Sequence, residues 1–248
     1  MPVRILLSLL LAIAVLAVAR PHSAAAADFT PDQKKEVEGI VHDYLQAHPE
    51  VLIDAIQAAE DKLKADAKDK AVESLAAHRQ QVFDDPQSPV AGNPKGDVTL
   101  VEFFDYRCPY CKQVEPSLEK LIGDDHQLKF VFKEFPVLGP DSEIAARVAL
   151  AAKKQGKYDA FHRAMMGTPG HIDEAAIYKV AASVGLDVDR VKQDMKSPDI
   201  EKELKANLDL GNTLDLNGTP SFIVGDTIIP GAISADELKQ LVATARGK

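Results

Sequence analysis

Apolar positions change their spacing along this chain, and each change marks a different kind of element. From Ile5 to Val18 they run almost without a polar residue. Further on, Val37, Ile40, Val41, Tyr44 and Leu45 fall on one face of a helix. Thr30-Pro31-Asp32-Gln33 gives that helix a start, with an N-cap hydroxyl, proline at the first helical position and glutamine at the capping-box position. His48-Pro49 interrupts it, because the residue before a proline resists the helical region. A second helix is predicted to open there, with Leu52 and Ile56 at helical spacing and Val51 and Ile53 beside them. From Glu60 to Gln81 the pattern thins to Leu63, Ala67, Val72 and Leu75 among many charges. A helix so polar has little to bury and reads as a solvated stalk or linker. Asp85-Pro86 through Pro94-Lys95-Gly96 reads as a boundary loop.

Beyond it the pattern becomes that of an α/β domain. Asp97 to Asp105 is β-branched and aromatic, as a buried strand requires. A helix is predicted from about Cys108 to Ile122, and Leu128 to Phe135 alternates as a second strand. Helical segments follow without strands between them. Their starts are at Asp141-Ser142, Asp173, Asp187 and Ser197-Pro198, and their stops at Gly156, Gly167 and Gly185. Ser221 to Val224 and Thr227 to Ile229 form a predicted hairpin around Gly225-Asp226. The final helix opens on the capping box Ser234-Ala235-Asp236-Glu237 and turns Leu238, Leu241 and Val242 inward.

The apolar run near the start belongs to neither half. A short basic start ending in Arg4 precedes it, and small residues ending in Ala25, Ala26 and Ala27 follow it, which is the order of a secretory signal. A spanning helix needs about 20 apolar residues, more than this run supplies. Residues 1–27 are therefore expected to be a cleaved signal peptide, an uncleaved anchor being the alternative, and the protein is expected in the periplasm. Their removal takes away Arg4 and Arg20 and moves the formal charge from -9 to -11. So acidic a surface argues against nucleic acid and anionic membrane as partners. Residues 28–85 then form an N-terminal helical segment and linker, and residues 86–248 a domain long enough for its own core.

The chain has two cysteines, Cys108 and Cys111. A bridge across so short a loop restrains little unfolded-state entropy, so a structural disulfide is a weak explanation. Structural zinc wants four ligands, and with no further cysteine and seven scattered histidines no metal or cofactor is expected. Two thiols one turn apart at a helix start are instead a redox device. The first faces unpaired N–H groups and the positive end of the helix dipole, which favour its thiolate. The second is close enough to resolve a mixed disulfide. Arg107 adds positive charge just before the pair, and Pro109 suits a helix opening.

The stretches VEFFDYRCPYCK (101–112), FKEFPVLGPDS (132–142) and NGTPSFIVG (217–225) resemble the DsbA-like branch of the thioredoxin superfamily. VHDYLQAHPEVLIDAI (41–56) resembles the N-terminal segment of ScsC-type proteins, named for suppression of copper sensitivity. The resemblance implies an α/β thioredoxin fold with an inserted helical domain at about 138–213, preceded by an N-terminal helical oligomerisation segment. It implies an exposed nucleophile at Cys108 and a buried resolving thiol at Cys111. It makes Thr219-Pro220 a cis-proline loop facing the disulfide, and Glu102 a buried carboxylate that tunes the thiols and carries protons. On the residues alone Pro220 could be an ordinary turn proline and Glu102 a cap on the strand's edge. Tyr110 lies in the dipeptide that influences redox poise, and its difference from the histidine familiar in DsbA leaves strong oxidising power in doubt.

These readings converge on a periplasmic protein disulfide oxidoreductase, isomerising or reducing non-native disulfides in exported client proteins. It would draw electrons from a membrane thiol-redox partner and assemble as a homo-oligomer, the resemblance favouring a trimer. The rival readings are a DsbA-like dithiol oxidase and a Cu(I)-binding protein using both thiols as soft ligands.

Overall fold

The computed structural model describes residues 29–247, so the expected signal peptide lies outside the described residues. No helix among the described residues is long and apolar enough to cross a membrane. The chain divides into two units, the first ending at Asp61 and the second beginning at Lys62.

In the first unit, α1 (Pro31–Ala47) opens on the expected capping box, in which the Thr30 hydroxyl accepts from the Gln33 N–H and the Gln33 side chain accepts from the Thr30 N–H. His48 ends it in a non-helical conformation, as the following proline requires. The chain continues as α2 (Pro49–Ala77). No residue of α1 is buried, and Val37, Ile40, Val41, Tyr44, Leu52, Ile53 and Ile56 are all exposed.

The second unit is built on a five-stranded sheet ordered β1-β3-β2-β4-β5. Its strands are β1 (Val90–Gly92), β2 (Val98–Phe104), β3 (Leu128–Glu134), β4 (Ser221–Val224) and β5 (Thr227–Pro230). The central pair β2 and β3 is parallel, with Val98 opposite Leu128 and Phe104 opposite Glu134. β4 runs antiparallel to β2, and β5 to β4 around the expected Gly225-Asp226 turn. β1 is antiparallel to β3 and lies within the stretch expected to be only a loop. Three residues rich in alanine and glycine carry no period, and only pairing with β3 makes them a strand.

Successive strand side chains point to opposite faces. One face of the sheet therefore carries Leu100, Phe104, Phe130, Phe132, Phe222 and Val224. It is covered by α4 (Pro109–Asp124), α10 (Ala235–Arg246) and the helical block α5 (Pro140–Lys154), α6 (Tyr158–Met166), α7 (Glu174–Ser183) and α8 (Val188–Asp194). The other face carries Val101, Phe103, Val131, Phe135 and Ile223. It meets α3 (Arg79–Phe83), the end of α9 (Pro198–Thr213), and Leu75 of α2. Asp173, Asp187, Ser197 and Ser234 are N-caps as the sequence predicts, whereas α5 opens one residue before Asp141, on Pro140.

The helix expected to be a wet stalk over residues 60–81 is wet only in part. Leu75, Val82 and Phe83 are buried in the second core cluster with Leu210, Leu214 and Leu216. Of the sparse apolar positions there Leu75 reaches the core, whereas Leu63, Ala67 and Val72 stay exposed. α9 closes over the same face at Gly211, where an added Cβ would fall 2.3 Å from the Phe135 ring. Leu75→Ala should consequently lower the unfolding free energy by about 3 kcal/mol, the cost of a core cavity. Chemical denaturation followed by circular dichroism checks this, and an unchanged midpoint would mean that Leu75 is not part of the core.

Candidate functional site

β2 ends at Phe104, and Asp105 begins the turn that delivers Cys108 to the start of α4. Asp105 organises that turn. Its Oδ1 accepts from the Arg107 N–H at 2.8 Å, and its Oδ2 accepts from the N–H groups of Val137 and Leu138 at 2.9 and 3.0 Å. Arg107 Nη1 donates to the Leu138 carbonyl at 2.8 Å, so both residues tie the loop after β3 to the turn before the cysteines. Arg107 thus braces a loop.

Cys108 is the N-cap of α4, Pro109 occupies its first turn, and Cys111 lies one turn on. Both cysteines are free thiols. The pKa of Cys108 is lowered to about 5. The Cys111 side chain contributes most to this by hydrogen bonding, followed by the Thr219 side chain and the N–H groups of Cys111 and Tyr110, against an opposing burial effect. Burial pushes Cys111 far up, and the bond it gives Cys108 and the charge of Glu102 push it in the same direction. In its thiol form Cys108 donates to the Thr219 carbonyl at 3.1 Å. The expectation of an exposed Cys108 is corrected: its exposure is 4%, against 0% for Cys111. Between them Pro109 and Tyr110 are exposed, Tyr110 to 60%.

The bond between Thr219 and Pro220 is cis. It enters β4, the neighbour of β2, and so Thr219 comes to face Cys108. Glu102 is not an edge cap, because β2 lies between β3 and β4 and Glu102 is fully buried. It points to the same sheet face as Phe104, the side that α4 covers, and neither of its carboxylate oxygens has a hydrogen-bond partner among the described residues. Its pKa is raised well above the carboxylate range, first by burial and then by Glu115, Cys108 and Glu134.

Sequence reading missed a second buried polar cluster on that face. Glu134 accepts from the Tyr158 hydroxyl at 2.8 Å and the Tyr106 hydroxyl at 3.2 Å, and burial raises its pKa despite both. The Tyr106 hydroxyl also lies 3.2 Å from His162 Nδ1, and His162 Nε2 lies 3.4 Å from Glu115 Oε1. Part of this was accessible. The alternation of β3 puts Glu134 on the inward face with Phe130 and Phe132, and a carboxyl at an inward strand position is a signal. An aspartate three residues before a cysteine-led helix is likewise an Asx-turn signal. Nothing in the sequence around His162 marks it. Among the described residues no group of three or more His, Cys, Asp or Glu could hold a metal ion.

Residues 99–243 match the family of the DSBA-like thioredoxin domain, and residues 33–65 match the copper resistance protein ScsC N-terminal domain. A thioredoxin-like oxidoreductase from Silicibacter pomeroyi DSS-3 is 44% identical with a TM-score of 0.67, covering 68% of this chain and 98% of that one. A linker-deletion mutant of Proteus mirabilis ScsC is 30% identical with a TM-score of 0.68, covering 90% of this chain and 99% of that one. Among curated proteins, the Na(+)/H(+) antiporter NhaA 1 of Salinispora arenicola is 28% identical over 158 residues, which are 63% of this chain and 24% of that protein. The chain thus spans about a quarter of the length of the curated relatives it matches first.

The thiol asymmetry gives a direct expectation. Iodoacetamide should alkylate Cys108 in the reduced protein with a rate that is half-maximal near pH 5, while Cys111 stays unlabelled through neutral pH. Peptide mapping after timed labelling checks it, and faster labelling of Cys111 would reverse the assignment.

Proposed function

The chain belongs to the DSBA-like thioredoxin family, and on that premise we propose that it is a periplasmic thiol–disulfide oxidoreductase that reduces or isomerises disulfides in exported proteins. One observation carries this reading. Two thiols one helical turn apart are driven in opposite directions, Cys108 towards the thiolate and Cys111 towards the thiol. A pair so divided has an attacking sulphur and a resolving sulphur.

The reaction follows from that division. The Cys108 thiolate attacks one sulphur of a client disulfide, the other client sulphur leaves as a thiolate, and a mixed disulfide forms. If a second client thiolate attacks the client sulphur of that bond, Cys108 is released and the client has exchanged one pairing for another. If Cys111 instead gives up its proton and attacks Cys108, the client leaves fully reduced and the protein holds the Cys108–Cys111 disulfide. A membrane thiol-redox partner would then supply two electrons and two protons to restore the dithiol.

Cys111 is the reluctant member of the pair, and Glu102 is the buried group suited to take its proton. Among the described residues Glu102 has no hydrogen-bond partner, and its carboxylate form, once it has passed on its own proton, takes up the Cys111 proton more strongly than an exposed carboxylate would. Thr219 and Pro220 lie beside the sulphur and would meet the client backbone. The family resemblance implies that threonine before this proline goes with members that isomerise or reduce.

The first unit supports assembly. Its apolar side chains are exposed among the described residues, and burial against further copies would gain about 25 cal/mol for each Å² removed from water. A homo-oligomer, with a trimer favoured by resemblance to ScsC-type proteins, would present several thiol pairs to one client at raised effective concentration.

Two outcomes check this reading. Glu102→Gln should leave Cys108 alkylation unchanged and slow resolution of a preformed mixed disulfide about 100-fold, as expected when a proton acceptor is lost. Rapid quench with mass detection measures it, and an unchanged resolution rate would remove Glu102 from the path. Light scattering of the mature chain should give an oligomer, and the double variant Ile40→Asp with Ile56→Asp should give a monomer. The monomer should keep insulin reduction and lose most isomerase activity on scrambled ribonuclease. A monomeric wild type would end the assembly reading.

A further inference from the structure

A groove of about 1010 Å³ opens beside the thiol pair. Its volume lies at the upper end of small-ligand sites, which run from roughly 300 to 1,000 Å³. At one end are Tyr110 and Thr219, and the Thr219 carbonyl is 3.1 Å from the Cys108 sulphur. From there the groove follows the segment that leads into β4. Its opposite side is α2, through Leu63, Ala67 and Ala71. These residues are four apart and so share one helical face. The two alanines leave room that larger side chains would fill. Lys70 and Asp66 flank the row.

The helix is held in place where it borders the groove. Ser74 Oγ donates to the Thr213 carbonyl at 3.0 Å, and Leu75 is buried with Leu214 and Leu216. The helix is therefore fixed to the same run of chain that carries Thr219. Large apolar groups remain uncovered along the groove, since Leu63 is 69% exposed and Tyr110 60%.

We propose that the Leu63–Ala71 face of α2 is a wall of the client-binding groove and takes an extended, unfolded segment with apolar side chains next to its cysteine. The proposal rests on the oxidoreductase reading above and adds a specificity surface to it. The occupant follows from continuity. A disulfide that reaches Cys108 carries its neighbouring residues to Thr219 and Tyr110, where the groove begins. A channel bounded by a helix on one side and an irregular loop on the other admits a single extended strand and excludes a folded surface. Apolar side chains of such a strand would cover Leu63, Ala67 and Ala71, and its cysteine would lie at the thiol pair.

Ala67→Arg and Ala71→Arg in the mature full chain test this, because arginine is a good helix former and would project into the groove without touching the cysteines. Two substrates are compared, a glutathionylated cysteine peptide of about eight residues with apolar flanks, and cystamine, which is too small to reach α2. Each arginine should raise KM for the peptide about tenfold, equivalent to about 1.4 kcal/mol, with kcat and the cystamine rate unchanged. Ala65→Arg, on the other face of the same helix and outside the groove, should behave as wild type. An unchanged peptide KM overturns the proposal. A parallel fall with both substrates also overturns it, because the substitutions would then act on the thiols. A changed mass in light scattering would make the face a contact between copies and overturn it as well. A wild type that reduces neither substrate would instead remove the oxidoreductase reading itself.

Discussion

The Cys108 sulphur lies where the free N–H groups of α4 converge, and Cys111, one turn on, gives it a further hydrogen bond. Placing that sulphur requires several elements at once. β2 must end at Phe104, Asp105 must hold the turn and the loop after β3, and β4 must enter the sheet beside β2 so that Thr219 meets the thiol. The donors that favour the thiolate are fixed by the fold before any client arrives, so ionising Cys108 requires little reorganisation. Cys111 is placed by the same helix one turn deeper, where burial acts on it in the opposite direction.

The two-residue period of the central strands separates two kinds of buried polar group. On the α4 side lie Glu102 and Glu134, with raised proton affinity. On the other side Lys133 is paired with Asp85 at 2.9 Å, where burial lowers the lysine and the pair holds the aspartate down. The second arrangement is a satisfied ion pair that closes the start of the domain over the sheet. Among the described residues Glu102 has no such partner, and a carboxyl kept without one on the side of the thiols is costly for stability and useful for proton transfer.

Much of the fold was legible in local signals. The strand runs at 97–105 and 128–135, both capping boxes, the hairpin at Gly225-Asp226 and the N-caps Asp173, Asp187 and Ser197 depend on near neighbours in the chain. The cysteine pair was legible for the same reason, because a helix start and a one-turn spacing are local features. Thr219, Pro220 and Glu102 were reached through the family resemblance, since only the sheet order brings residues so distant in sequence to one sulphur. β1 and the burial of Leu75, Val82 and Phe83 were not legible at all. A short alanine–glycine strand and a sparse helix face take their meaning from what they pack against.

The central claim is that this fold stabilises the reduced, ionised form of the pair. Its most direct test is the thermal stability of the reduced protein relative to the disulfide form as a function of pH. Cys108 is lowered on folding from the ordinary thiol range to about 5. The stabilisation it lends the reduced form should therefore be complete above the unfolded thiol pKa, decline as pH falls, and vanish below about 5. Burial raises Glu102 in both forms and cancels in the difference, while the share due to the Cys108 charge belongs to the reduced form alone, and a bridge over so short a loop adds little that varies with pH. Calorimetry of the two forms should show the reduced one melting higher at neutral pH, with the gap closing on acidification. A gap independent of pH, or a disulfide form that melts higher throughout, would contradict the account.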